Sequence, residues 1–146
     1  MDLRKALASF YYSAALCNLR LMNRRFADEN ITYNSLLYVE LIYEMNGTCT
    51  ASKLAELLHI SRPGVTAKLN ELIKQGLITK TPDPNDKRKN YLTVNEDALP
   101  QYKVYRRQDG EAIRRITERY SPEEVGKFCE MLDIISKINF EEMEKS

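Results

Sequence analysis

Ser61, Arg62, Pro63, Thr66, Lys68, Asn70 and Lys74 fall in one short stretch, and Asp86, Lys87, Arg88 and Lys89 follow soon after. These are side chains that grip a polyanion and read its edges. Arginine pairs bidentately with guanine O6 and N7, and asparagine suits adenine. Thr66 can meet a thymine methyl or a phosphate. At about 100° per residue, the direction opposite Val65, Leu69 and Leu72 is occupied by Pro63, Thr66, Ala67, Asn70 and Lys74. Gly64 and Ala67 keep that surface low, so a backbone can approach a groove floor. Arg62 projects from the first turn, where recognition helices meet base edges. Lys68 lies on the flank, better placed for a phosphate than for a base.

The second cluster crowds three cations beside one acid at a predicted hairpin tip. A guanidinium is suited to the narrow, strongly negative minor groove of A·T tracts. Asp86 is expected to hold Arg88 in an extended rotamer, reducing the entropy lost on insertion. Charge partition supports both clusters. Residues 50–94 carry eight Lys/Arg against four Asp/Glu, a balance of +4. Residues 1–49 are neutral at five against five, and residues 95–146 stand at −3 with nine against twelve. A net charge of +1 therefore hides a polarised chain, and positive potential concentrated on one module is what DNA selects.

Other chemistry is poorly supported. There is one histidine, no glycine-rich phosphate loop, no metal-ligand spacing, and no Ser or Cys with a credible base nearby. The expectation is a non-enzyme without cofactor or metal. Three widely spaced cysteines, Cys17, Cys49 and Cys129, suggest neither a disulfide framework nor a zinc site. Cys17 is expected to be a buried small hydrophobe, and Cys49 to be more exposed. The N-terminus lacks a signal-peptide pattern, and no apolar run approaches the ~18 residues that span a bilayer. A soluble cytoplasmic protein with no membrane partner is the resulting expectation.

The elements that must position these residues can be read in turn. With 146 residues, one domain is expected. A first helix carries Leu3, Leu7, Phe10, Ala14, Cys17 and Leu21 at alternating spacings of four and three, a seam that wants another helix. Asp28, Glu29 and Asn30 should end it. Thr32 caps a second helix that Gly47 stops at positive φ. Thr50 caps a third with Leu54, Leu57 and Leu58 apolar, Ala55 at a close helix crossing and Ile60 plugging the turn. His59 stands in that turn where glycine is usual, so its backbone must accept a side chain there. Ser61 caps the fourth helix, with Pro63 in the first turn; Val65, Leu69, Leu72 and Ile73 face inward, and Gly76 ends it. Leu77 to Lys80 and Tyr91 to Val94 make two strands, with Pro82, Pro84 and Asn85 in the loop. Asn95 caps a fifth helix running to about Tyr120, with Tyr102, Tyr105, Ala112, Ile113 and Ile116 on its less polar side. Ser121-Pro122-Glu123-Glu124 opens a sixth as a capping box.

The predicted fold is mainly α with a small β-hairpin wing. A winged helix-turn-helix lobe at 32–94 is flanked by long dimerisation helices at 1–28 and 96–146, all in a single domain 1–146. The flanking helices have apolar faces with nothing of their own to cover them, and pairing across a two-fold axis is the commonest solution.

The sequence resembles the MarR family of winged-helix transcriptional regulators over nearly its whole length. ITYNSLLYVEL resembles that family's second helix, TASKLAELLHISRPGVTAKLNELIKQGLI its helix-turn-helix, and DPNDKRKNYLTV its wing, with the Asp-x-Arg at Asp86 and Arg88. The resemblance implies sequence-specific binding of double-stranded DNA by a homodimer on a pseudo-palindromic operator, acting as a ligand-responsive repressor. Recognition helices would enter successive major grooves, and wings the flanking minor grooves. Relatives often answer to small anionic aromatic effectors; Tyr11, Tyr12, Tyr33, Tyr38 and Tyr43 are the candidate lining of such a pocket. The chain departs from the family at Val94-Asn95, where Leu-Thr is frequent. The alternative is a winged-helix module that docks protein instead of DNA, which a flat salt response would favour.

Overall fold

The computed structural model describes residues 2–24, 31–98 and 102–145, and the side chains of all of these except 98 and 102–108. Three expectations therefore fall outside the described residues: the helix end at Asp28, Glu29 and Asn30, the fifth helix across 99–101, and the placing of Tyr102 and Tyr105. The chain divides into two compact units, Met1–Tyr102 and Lys103–Ser146.

In the first unit, α1 (Leu3–Met22) starts at Asp2, whose carboxylate accepts from the Arg4 N–H, and ends at Asn23. α2 (Tyr33–Glu44), α3 (Ala51–Leu57) and α4 (Arg62–Lys74) are capped by Thr32, Thr50 and Ser61, each accepting a backbone N–H three residues on. A side-chain oxygen here satisfies a donor that the first helical turn leaves unpaired. β1 (Ile78–Pro82) pairs antiparallel with β2 (Asn90–Val94) in the register Ile78 to Val94, Lys80 to Leu92 and Pro82 to Asn90. A 3-10 turn follows at Glu96–Ala98. The core joins Leu36, Val39 and Ile42 of α2, Leu54 and Ala55 of α3, Val65, Leu69 and Leu72 of α4, and Leu77, Ile78 and Leu92 of the hairpin. Each such side chain removed from water contributes roughly 1.5–3 kcal/mol if large. The Leu92 N–H also donates to the Cys49 carbonyl at 2.9 Å, fastening β2 to the segment before α3.

Both helix ends that bracket the turn and wing are Schellman motifs. After α4, Gly76 at φ 71° donates to Ile73 O and Leu77 to Leu72 O, and Leu72 and Leu77 are both fully buried. After α3, His59 takes the same left-handed position at φ 52°, with its N–H on Glu56 O and the Ile60 N–H on Ala55 O. The turn thus holds a side chain where glycine is favoured.

Several local expectations need correction. α2 stops at Glu44, and Asn46 at φ 45° takes the first left-handed position, ahead of Gly47 at φ 77°. Ile60 does not plug the turn; it is exposed, as is Leu57. Leu77 belongs to the Schellman turn, and Pro82 lies in β1, at its end, where a missing N–H is tolerated. Asn95 does not cap a helix: its Nδ2 donates to Gly76 O at 3.1 Å and its N–H to Leu77 O, closing the base of the hairpin.

In the second unit, α5 (Tyr102–Arg119) carries a surface network in which Arg114 bonds Glu111 and Glu118, and Arg115 bonds Glu111. α6 (Pro122–Glu144) opens with the expected capping box: the Ser121 N–H donates to Glu124 Oε2 at 2.9 Å, and the Glu124 N–H to Ser121 Oγ. The Ser121 N–H first, then the Ser121 hydroxyl, which donates to Glu124 Oε2 at 2.9 Å, hold the Glu124 carboxyl below the ordinary range. No described helix is long and apolar enough to cross a membrane.

Candidate nucleic-acid interface

α4 is pinned from behind by Val65, Leu69 and Leu72, all essentially inaccessible. Its opposite side is left to solvent: Ser61, Arg62, Pro63, Thr66, Asn70 and Lys74 are exposed, with Gly64 and Ala67 between them. Gly64 has a packing reason as well, since a Cβ there would sit 3.3 Å from Ser61 Oγ and crowd the cap. The helix therefore presents a low surface with a cation near each end. Its first turn is also the positive end of the helix dipole, which favours a phosphate.

Lys68 is placed differently from the flank expectation. Its ammonium donates to Ser35 Oγ at 2.9 Å and Glu71 Oε1 at 3.0 Å, and only 14% of its side chain is exposed. The cation is turned toward α2, with the Tyr38 ring centroid 5.9 Å away. Ser35 and Glu71 were not singled out from sequence; a serine inside an apolar helix face gives no sign of a partner on another helix.

The wing tip is a loop ordered by its own carboxylates. Asp83 Oδ1 accepts the Asn85 and Asp86 N–H groups at 2.8 and 3.2 Å. Asp83 N–H donates to Lys89 O, and Lys89 N–H to Asp86 O, both at 2.9 Å. The Asn85 amide first, then the Tyr91 hydroxyl, hold the Asp83 carboxyl below its ordinary range. Lys89 lies 3.9 Å from Asp83 Oδ2 and stacks over Tyr91 at 4.9 Å; bonding to Tyr91 raises its ammonium's pKa. Asp86 does not hold the Arg88 guanidinium. Its Oδ1 accepts the Arg88 backbone N–H at 3.0 Å, fixing the loop while the charged end has no ion-pair partner among the described residues. Lys87 and Arg88 are exposed.

The candidate pocket tyrosines are dispersed. Tyr11 and Tyr12 lie on the exposed side of α1. Tyr33 is buried and donates its hydroxyl to Asn18 Oδ1 at 2.7 Å, tying α2 to α1. Tyr43 is half-buried on α2. Tyr38 lines a cleft of about 450 Å³ with Asn34, Leu37, Glu40, Leu41, Leu58 and Ile60. The cysteine expectations are reversed: Cys17 is exposed and Cys49 is buried. Burial pushes the Cys49 thiol up to about 11, against a smaller downward pull from Lys53, so it stays protonated at neutral pH.

Residues 31–89 match the MarR family. The chain is 28% identical over 115 residues to YybA of Bacillus subtilis (strain 168), an uncharacterised HTH-type transcriptional regulator; the match covers 79% of this chain and 76% of YybA. Its fold is similar to Streptococcus pneumoniae FabT in a crystal structure with DNA, at TM-score 0.66 and 19% identity, covering 95% of this chain and 96% of FabT. It is also similar to the adhesin competence repressor AdcR of Streptococcus pyogenes, at TM-score 0.59 and 21% identity, covering 94% and 97% of the two chains.

Proposed function

We propose that this chain, whose residues 31–89 match the MarR family, is a winged-helix regulator of that family that binds double-stranded DNA in a sequence-specific way and represses transcription as a cytoplasmic homodimer. The observation that carries the reading is the pairing, in one compact unit, of two exposed cationic surfaces on rigid supports. α4 is backed by core and capped by Ser61. The wing loop is locked through Asp83 and Asp86, leaving Arg88 available. The likeness to FabT, solved with DNA, supports the same partner.

In this reading Arg62, Pro63, Thr66, Asn70 and Lys74 face the major groove, and Lys87, Arg88 and Lys89 the minor groove and its phosphates. Asp86 serves as the wing's backbone acceptor. Apolar surface on each unit supports the dimer: Phe10 and Leu19 on α1 are exposed, and so are Phe128, Met131, Ile134 and Ile138 on α6. Faces of that extent on long helices belong in an interface. Two copies of a winged helix then meet two half-sites of a pseudo-palindrome.

Release by a small aromatic effector is the finer part of the proposal. The cleft beside Tyr38 has the volume of a small-ligand site, and one wall is Ile60, adjacent to the Ser61 cap. A ligand there would act on the start of the recognition helix.

Selection of bound duplexes from a random pool tests the reading. The expected product is a two-fold symmetric consensus, whose affinity falls with salt at a slope of about −0.9 in log–log form per neutralised phosphate. Recovery of no consensus with a flat salt response would replace DNA by a protein partner for the same surfaces.

A further inference from the structure

Lys68 on α4 faces α2 and joins a polar tie between the two helices. Ser35 Oγ is completely buried and has three polar neighbours: Lys68 Nζ at 2.9 Å, Thr32 Oγ1 at 3.1 Å and Glu71 Oε1 at 3.4 Å. Thr32 is at once the cap of α2, accepting from the Ser35 N–H. Glu71 sits one turn along α4 from Lys68 and binds the same ammonium. The start of α2 and the middle of the recognition helix are thus bound through one serine hydroxyl.

We propose that this Thr32–Ser35–Lys68–Glu71 tie fixes the roll of α4 about its own axis, making Lys68 a positioning residue for base reading and not a phosphate contact. The inference rests on the DNA-binding reading above and deepens it. The apolar attraction itself is non-directional; the shared core holds α4 against α2, and a polar tie adds a fixed direction to that grip. A charge-assisted hydrogen bond is short and directional. Base-reading groups must be held to within about 0.5 Å and 10–20° to work. Thr66 and Asn70 each lie two residues from Lys68 and so move with it, while phosphates tolerate a shifted long side chain.

The test compares full-length wild type with Ser35→Ala, Lys68→Met, their double variant and Lys68→Arg. Affinity is measured for the selected duplex and for a random-sequence duplex across a salt series, with melting curves to verify folding. Each single variant should lower the ratio of selected to random affinity roughly tenfold, the size of a misplaced base contact. Random-duplex affinity and the salt slope should stay at wild-type values. The double variant should be no worse than the worse single one, because both break one tie, and Lys68→Arg should restore part of the ratio. If Lys68→Met fails to fold, Ser35→Ala, a smaller change, still reads the ratio. Equal weakening of both duplexes by Lys68→Met, with a salt slope shallower by about 0.9, would make Lys68 a phosphate contact and overturn the proposal. Additive losses would also overturn it. Wild type that selects no duplex at all would instead overturn the functional reading, before any variant is compared.

Discussion

The stretch from Ile31 to Leu92 and the long outer helices α1 and α6 use their apolar side chains in opposite ways. Every buried apolar residue among those described lies between Ile31 and Leu92. α1 and α6 contain no buried residue at all, although Phe10, Leu19, Phe128, Met131 and Ile138 sit on them. The lobe proposed to read DNA therefore holds itself together by its own core. The outer helices carry surface that is stable only against something else, and a second copy is the proposed cover.

Substitutions in the two regions should fail in different ways. Leu72→Ala removes a fully buried side chain from the inner face of α4 and should cost about 2–5 kcal/mol in denaturant unfolding. A loss well under 1 kcal/mol would mean that α4 is not held by this core. Ile138→Glu lies on an exposed face of α6, so it should leave the lobe's fold intact and act on association. In a two-fold interface each substitution appears twice; the expected result is a shift from dimer to monomer in sedimentation. A dimer unmoved by this change would take α6 out of the proposed interface.

A smaller contrast separates the two proposed reading surfaces. Arg62 rides on a capped helix, and Arg88 on a loop held by backbone acceptors. Arg62→Ala should relax sequence preference by about 1–3 kcal/mol at one base position. Arg88→Ala should weaken A·T-flanked sites selectively, by less, because minor-groove reading senses width and potential more than base identity. Competition binding on duplexes that differ only in flanks distinguishes the two, and identical profiles would merge them into one electrostatic surface.

The same division explains what was legible in the sequence. Thr32, Thr50, Ser61 and Ser121 were readable as caps because a cap is satisfied within four residues of itself. His59 was readable as a turn residue because helix-turn-helix motifs often place glycine there. Lys68 was not, because its partner Ser35 is 33 positions away and gives no periodic signal. The Asp86–Arg88 pair was misread for a subtler cause: the spacing suits a carboxylate meeting either the guanidinium or the backbone N–H, and the tight loop selects the backbone. Cys17 and Cys49 exchanged roles because seam position on α1 predicts burial only when a second helix covers it, whereas Cys49 lies beside β2, which no local pattern announces.

The smallest expected effect comes from comparing the two Schellman turns that end the helices of the helix-turn-helix. Gly76 at φ 71° and His59 at φ 52° hold the same left-handed backbone after α4 and α3. A residue with a Cβ is disfavoured there by roughly 1–2 kcal/mol, which glycine avoids at the cost of extra freedom when unfolded. Gly76→Ala should therefore destabilise the chain by about 1 kcal/mol, since a Cβ meets no atom within 4 Å and backbone strain is what remains. His59→Gly releases the same strain, adds chain entropy and removes the imidazole's own interaction, so it should change stability by less than about 1 kcal/mol. Paired melting curves settle the sign. A destabilised His59→Gly would mean that the imidazole contributes more to the turn than its backbone costs.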